Sequence, residues 1–223
     1  MTPLEVLEIS ALTLRVAALG MLIALPVAVA TGYGLARYSF RGRSLVQAIL
    51  SLPMLLPPVA VGLGLLILLG PEGPLGGLLE SWGIRIVFTE WAAALAAAIV
   101  GLPLFVRACE QSFEAVDPVY PKLARTLGRS PVQVFFRVTL PLARRGVLYG
   151  ALLAFTRGLG EFGATALVAG IIPGKTETLS LGIWSRVQSG DDADALLLCA
   201  VSFVLALASM WAAESWLGRK PKS

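Results

Sequence analysis

The sequence predicts an all-α, polytopic membrane protein with about five transmembrane helices and no separate soluble domain. Three observations carry that expectation. Hydrophobic residues make up 57% of the 223 and charged residues 14%, and the mean hydropathy is +0.80, outside the range of soluble domains. Five stretches approach the roughly 20 largely apolar residues that a spanning helix needs. The Lys and Arg residues collect in alternate gaps between those stretches, as short cytoplasmic loops do.

The spans fall at about residues 11–36, 45–69, 91–106, 146–170 and 195–217. They use up the chain, so residues 1–223 read as one transmembrane domain. Glu5 and Glu8 precede the first span without any Lys or Arg. That start lacks the basic region of a secretory signal, and the span is longer than a signal core, so it reads as retained.

Orientation follows from the loops. Arg37, Arg41 and Arg43 lie between spans one and two, and Arg107, Lys122, Arg125, Arg129, Arg137, Arg144 and Arg145 between three and four. Arg219, Lys220 and Lys222 follow span five. The opposite gaps hold Arg85, Lys175 and Arg186 among Glu72, Glu80, Glu90, Glu177, Asp191, Asp192 and Asp194. The N-terminus is therefore expected outside and the C-terminus inside a cytoplasmic (inner) membrane. The net charge of +4 reflects this topology and is no sign of nucleic-acid binding; the expected surroundings are membrane lipid.

Several chemistries are excluded. The chain has no histidine, which removes His-based zinc sites and Ser-His-Asp catalysis, and it has no Walker-type phosphate loop. No catalytic or metal site is expected, and the chain does not hydrolyse ATP by itself. Cys109 and Cys199 fall at the end of span three and inside span five, where no disulfide between them is expected. Arg15, near the outer end of span one, is expected to snorkel to headgroups or pair across a dimer. Trp82, Trp91, Trp184, Trp211 and Trp216 read as interfacial anchors.

The cytoplasmic segment at about residues 107–141 is the most informative. Asp117 can cap a helix starting at Pro118, because proline suits the first helical position. Gly128 can end it in the left-handed conformation, and Ser130-Pro131 repeat the signal for a second short helix. Val119, Leu123 and Leu127 form one apolar stripe with Ala124 beside them, and Val132, Phe135 and Phe136 form another. Lys122, Arg125, Arg129 and Arg137 cover the rest. Such a segment either lies in the headgroup layer or is a knob handed to a partner.

Two features stand within the spans. Pro53, Pro57 and Pro58, followed by Gly62 and Gly64, interrupt span two near its cytoplasmic side, as a packing kink or as a hinge lining a pathway. In span four, Arg157 lies roughly 18 Å beyond Arg145 at helical rise, inside a hydrocarbon core of about 30 Å. Glu161, one turn on, can neutralise it if the helix continues. The pair either fixes helix packing or stands at a pathway, with Gly160, Gly163 and Thr165 beside it. Gly146 and Gly150, like Gly160 and Gly163, suit tight helix contacts.

The order of residues adds a resemblance. The cytoplasmic segment is similar to the coupling signature of ABC-importer permeases, described as Glu-Ala-Ala, three residues, Gly, nine residues, Ile, one residue, Leu-Pro. Gly128 is the glycine, Val138 stands at the isoleucine, and Leu140-Pro141 close it. The opening triplet reads Lys122-Leu123-Ala124, so only its last alanine matches. Leu159–Thr165 (LGEFGAT), the run PGKTETL at 173–179, the run LPMLLPPVAVG at 52–62 and ARTLG at 124–128 resemble the permease subunit of molybdate ABC importers. The Gly-Glu-Phe-Gly core is shared with sulfate and tungstate relatives.

The resemblance implies a type I ABC-importer permease fold with cytoplasmic coupling helices. It also implies a homodimer, two separate ATP-binding subunits that use ATP and Mg, and a periplasmic or lipid-anchored oxyanion-binding protein. Pro118, Val119, Leu123, Ala124, Arg125, Leu127, Gly128 and Arg129 would meet the ATPase. Pro53, Pro57, Pro58, Arg157, Gly160, Glu161, Gly163 and Thr165 would stand near the path of molybdate or tungstate. Import of sulfate or thiosulfate, and a scaffold that recruits a cytoplasmic protein without moving solute, are the alternatives.

Overall fold

The computed structural model describes residues 1–217, all built on helices and their connections. Arg219, Lys220 and Lys222, the last group of expected cytoplasmic charges, lie outside the described residues.

Helix α1 runs Pro3–Arg37. It starts earlier than residue 11 because Thr2 and Glu5 form a reciprocal capping box around Pro3, so Glu5 and Glu8 ride on its first turns. The second span is not one helix. Helix α2, Arg43–Leu55, and α3, Pro58–Leu69, are bent by 105° at the break. Leu56 and Pro57 are non-helical there, since a residue before proline avoids the helical region and Pro58 is a good first residue. Pro53 stays inside α2, so the sharp bend comes from the Pro57-Pro58 pair.

A short α4, Gly76–Ser81, precedes α5, Glu90–Glu114. Helix α5 continues well past residue 106, through Pro103, Arg107 and Glu110, so residues 107–114 belong to a span and not to the cytoplasmic loop. Then come α6, Val119–Thr126, and α7, Pro131–Val134. A widened turn over Phe135–Thr139 leads without a gap into α8, Leu140–Leu159. Pro141 explains the widening: it has no amide to donate and its ring crowds the preceding turn, which the wider turn accommodates. The second cytoplasmic helix is thus the start of a 29-residue span, Pro131–Leu159. That span ends before the expected residue 170. After it, α9, Gly163–Val168, α10, Leu179–Ser189, and α11, Asp192–Leu217, complete the described chain.

Among the described residues, four helices are long and apolar enough to cross a membrane, and the bent α2–α3 pair makes a fifth. The core is α1 and α5 side by side with α8 antiparallel to them. Ala92–Ala94 and Ala96 of α5 are fully buried. Small residues set these contacts, since apolar burial gives no net drive to helix pairing in lipid and close packing must supply it. A Cβ on Gly20 would stand 2.9 Å from the Ala94 carbonyl oxygen. Gly146 meets Ser112, and Gly150 meets Ala108 and Phe105, as their spacing predicted.

The two ends of the bundle are marked by polar ties. At one end the Leu179 amide donates to Thr13 Oγ1 at 2.8 Å, and Met1 pairs with Asp194 at 2.5 Å; α1 and α11 therefore begin on the same side. At the other, Arg37 donates to the Val116 carbonyl at 3.0 Å. Trp82, Trp91, Trp184 and Trp211 are exposed, as interfacial anchors would be. Cys109 and Cys199 are both free.

Candidate translocation and coupling sites

Two interrupted helices meet at the first site. Helix α3 starts at the Pro57-Pro58 break, and α9 starts just after the break at Gly160–Phe162. The two cross closely: a Cβ on Gly163 would lie 3.0 Å from Pro58 Cβ, and one on Gly62 would lie 2.6 Å from the Ala164 oxygen and 2.7 Å from its Cα. No side chain larger than hydrogen fits at Gly62 without moving backbone. Residues from 52–62 and 160–165, far apart in the chain, thus form one junction.

Glu161 holds the second break together. Its helix ends at Leu159, so the pairing with Arg157 is made across a turn and not along a continuous helix. The ion pair nevertheless forms, with Arg157 Nη1 3.0 Å from Glu161 Oε2. The other oxygen, Oε1, accepts from the Ala164 amide at 3.0 Å, which caps the first turn of α9. Glu161 is buried, whereas the Arg157 side chain is 35% exposed. A buried carboxylate with both oxygens occupied, one by a guanidinium, meets the conditions for a charge within a membrane.

The remaining path candidates divide. Pro57 and Gly160 are exposed, Pro53 and Pro58 half-buried, and Thr165 fully buried. A Cβ at Gly160 would meet nothing within 4 Å, so it is not the tight contact its sequence suggested. Met54, Leu55 and Leu56 at the apex of the first break are also exposed. The junction therefore has one face packed within the chain and one face open.

Further polar groups were not anticipated. Buried Glu110 on α5 accepts from Arg43 at 3.0 Å, from Gln47 at 2.7 Å and from Arg107 at 3.3 Å, which ties α2 to α5. The Arg107–Glu110 spacing was a visible helical pair, but the α2 partners were not. Glu177, also buried, pairs with Arg186. Arg15, largely exposed, pairs with Glu90 of the same chain at 2.8 Å, a partner the sequence did not reveal.

The second site is the knob. Asp117 Oδ1 accepts from the Val119 amide at 2.9 Å, so α6 begins one residue later than expected, with Pro118 as its cap. Gly128 ends it at φ +78°, and the Arg129 amide reaches back to the Ala124 carbonyl at 3.2 Å, the closure a left-handed glycine permits. Ser130 and Gln133 form a capping box for α7. No residue of α6 is buried. Val119, Leu123 and Leu127 are 60%, 57% and 75% exposed, and Pro118, Arg125, Gly128 and Arg129 are exposed too, with Ala124 half-buried.

A helical membrane core with one broken span and an exposed apolar helix face is that of a polytopic membrane protein. The chain belongs to the family described as "Binding-protein-dependent transport system inner membrane component", whose model matches residues 20–219. It is a multi-pass inner-membrane permease of the ABC class, and ATP hydrolysis in that class is carried by separate subunits. The "Molybdenum transport system permease protein ModB" of Escherichia coli K12 is 41% identical over 210 residues, 93% of this chain and 91% of the relative. The protein of that name from Haemophilus influenzae is 41% identical over 218 residues, 96% of this chain and 95% of the relative. The "Sulfate transport system permease protein CysW" of Synechocystis is 39% identical over 176 residues, 79% of this chain and 64% of the relative. A solved structure of the MetNI methionine ABC transporter has a TM-score of 0.69 at 19% identity, covering 97% of this chain and 98% of that one. It shares the fold.

Proposed function

We propose that this chain is the membrane-spanning subunit of an ATP-driven importer of molybdate, with tungstate as the congener it also carries. The observation that carries the reading is that likeness to molybdenum permeases extends over more than nine-tenths of both chains. The sulfate relative matches a smaller share of each, so sulfate or thiosulfate import is the second reading.

In this reading two copies face each other across the open side of the α3–α9 junction, and the oxyanion passes between them near Pro57, Gly160 and Arg157. The N-terminus lies outside and the C-terminus inside. Two ATP-binding subunits, using ATP and Mg, each receive an α6 helix in a surface groove. An exterior oxyanion-binding protein, soluble or lipid-anchored, delivers the cargo to the opposite end. The exposure of the apolar stripe of α6 supports its role as the handle, because a partner there gains apolar burial that the described chain leaves unused. Transport then requires that the ATPases contact this handle differently in two states of the bundle.

Uptake into proteoliposomes tests the proposal. The permease is reconstituted with its ATPase, with loaded binding protein outside and ATP inside. Expected is ATP-dependent molybdate uptake, competed by tungstate and not by equimolar sulfate. Competition by sulfate at similar concentration moves the cargo to the second reading, and absence of uptake by an assembled, ATPase-competent complex leaves the scaffold alternative.

A further inference from the structure

A groove of about 850 Å³ runs along the outside of the bundle between α1 and α8. At its deep end it is lined by Leu25, Pro26, Ala30 and Leu148, and at its rim by Arg125 of α6 and Arg144 of α8. Leu25 lies roughly 18 Å from Arg37, the end of α1, at helical rise. The groove therefore reaches from the headgroup level into the hydrocarbon, and its floor at the rim end is a cluster of aromatic rings. Tyr33 and Phe135 are 4.8 Å apart, and Phe135 and Phe136 4.9 Å.

Of the exposed arginines at that end without a side-chain partner among the described residues, which include Arg41, Arg129 and Arg137, only Arg125 and Arg144 line the groove. Arg37, Arg43 and Arg107 all bond to groups of the chain. Arg125 and Arg144 have no side-chain hydrogen bond or ion pair among the described residues, and both are exposed. Two unpaired guanidiniums therefore stand over an apolar slot of membrane depth. That combination complements a molecule with an anionic head and a long apolar tail: guanidinium pairs bidentately with phosphate oxygens, and basic pockets between transmembrane helices hold anionic headgroups.

We propose that this groove is a binding site for one anionic phospholipid, its phosphate held by Arg125 and Arg144 and an acyl chain lying along Pro26, Ala30 and Leu148. The site spans the contact between the coupling helix and the bundle, so the lipid would brace α6 against α1 and α8. It is independent of which oxyanion is carried.

The test is native mass spectrometry of the delipidated permease–ATPase complex, titrated with phosphatidylglycerol or phosphatidylcholine. Phosphatidylglycerol is expected to bind more tightly. Arg144→Gln should weaken it about fivefold, the effect of one basic residue near a headgroup, and leave phosphatidylcholine unchanged. Ala30→Trp, an exposed position that fills the slot, should weaken both lipids. Equal binding of the two lipids, or phosphatidylglycerol binding indifferent to both variants, overturns the proposal. Displacement by millimolar inorganic phosphate overturns it too, since the ligand would then need no acyl chain. A protein occupant is checked with Ala30→Cys in a Cys199→Ser background: cross-linking to a second copy or to the ATPase would show that protein covers the groove, and its absence supports lipid.

Discussion

The α3–α9 junction and the α6 knob are both short helical pieces bounded by prolines and glycines, yet the chain completes one and leaves the other unfinished. At the junction, backbone meets backbone at Gly62 and Ala164, and Glu161 uses both of its oxygens within the chain. At the knob, the caps are satisfied locally but the apolar stripe of Val119, Leu123 and Leu127 is left exposed among the described residues. Irregular backbone within a membrane must find its hydrogen bonds in protein, because lipid offers none. A helix in the aqueous layer is under no such constraint and can keep its apolar face for a partner. Substitutions at the junction should therefore act on the fold, and substitutions at the knob on assembly.

The largest effect on the fold is expected at Gly62. Gly62→Val puts a branched side chain where even a Cβ would meet the Ala164 backbone at 2.6 Å. Over-packing of this kind costs about 3 kcal/mol, seen as a lowered melting temperature in detergent. Gly64 is the control two residues on: a Cβ there meets nothing within 4 Å, and Gly64→Ala should be neutral or stabilise by up to about 1 kcal/mol through helix propensity. An equal loss at both positions would place the effect in glycine flexibility and not in the contact between Gly62 and Ala164.

A smaller effect is expected at the charge pair. Glu161→Ala frees the Arg157 guanidinium and the Ala164 amide together, while Arg157→Ala leaves a buried carboxylate with one partner. Arg157 is partly exposed, so solvent and headgroups recover some of each loss. The double variant should lie about 1–2 kcal/mol above the sum of the singles, which reports coupling between groups in contact. Strictly additive melts would mean that the 3.0 Å contact contributes nothing and that Glu161 acts through its cap alone.

The knob was largely legible in the sequence because its determinants are local. Asp117, Gly128 and the Ser130–Gln133 box each act within four residues, and the stripe repeats at helical spacing. The Arg157–Glu161 pair was legible for the same reason, although the helix it was drawn on ends at Leu159. What sequence could not supply were meetings between distant segments. Gly62 could not be matched to Ala164, nor Glu110 to Arg43 and Gln47, because each needs the relative placement of two helices. The span limits erred where a polar residue is neutralised by such a meeting: α5 carries Glu110 beyond residue 106 because α2 brings Arg43 to it. Hydropathy alone also read residues 146–170 as continuous, since glycines at a break are as apolar as glycines in a helix.

At the knob, two substitutions separate the shape of α6 from its surface. Gly128→Val must place a branched residue at φ +78°, a strain of about 1–2 kcal/mol that unwinds the end of α6. Leu123→Ser leaves the backbone alone and removes the centre of the stripe. In the isolated permease Gly128→Val should cost no more than that local strain, less than the Gly62→Val loss, and Leu123→Ser should stay within about 0.5 kcal/mol, as exposed positions do. Both should weaken copurification with the ATPase by tenfold or more, equivalent to about 1.4 kcal/mol, since a central apolar anchor carries much of an interface. A melt lowered by Leu123→Ser with assembly intact would mean that the stripe is packed in the membrane-embedded protein. The knob would then be a finished part of the fold, as the junction is, and the division between the two regions would fail.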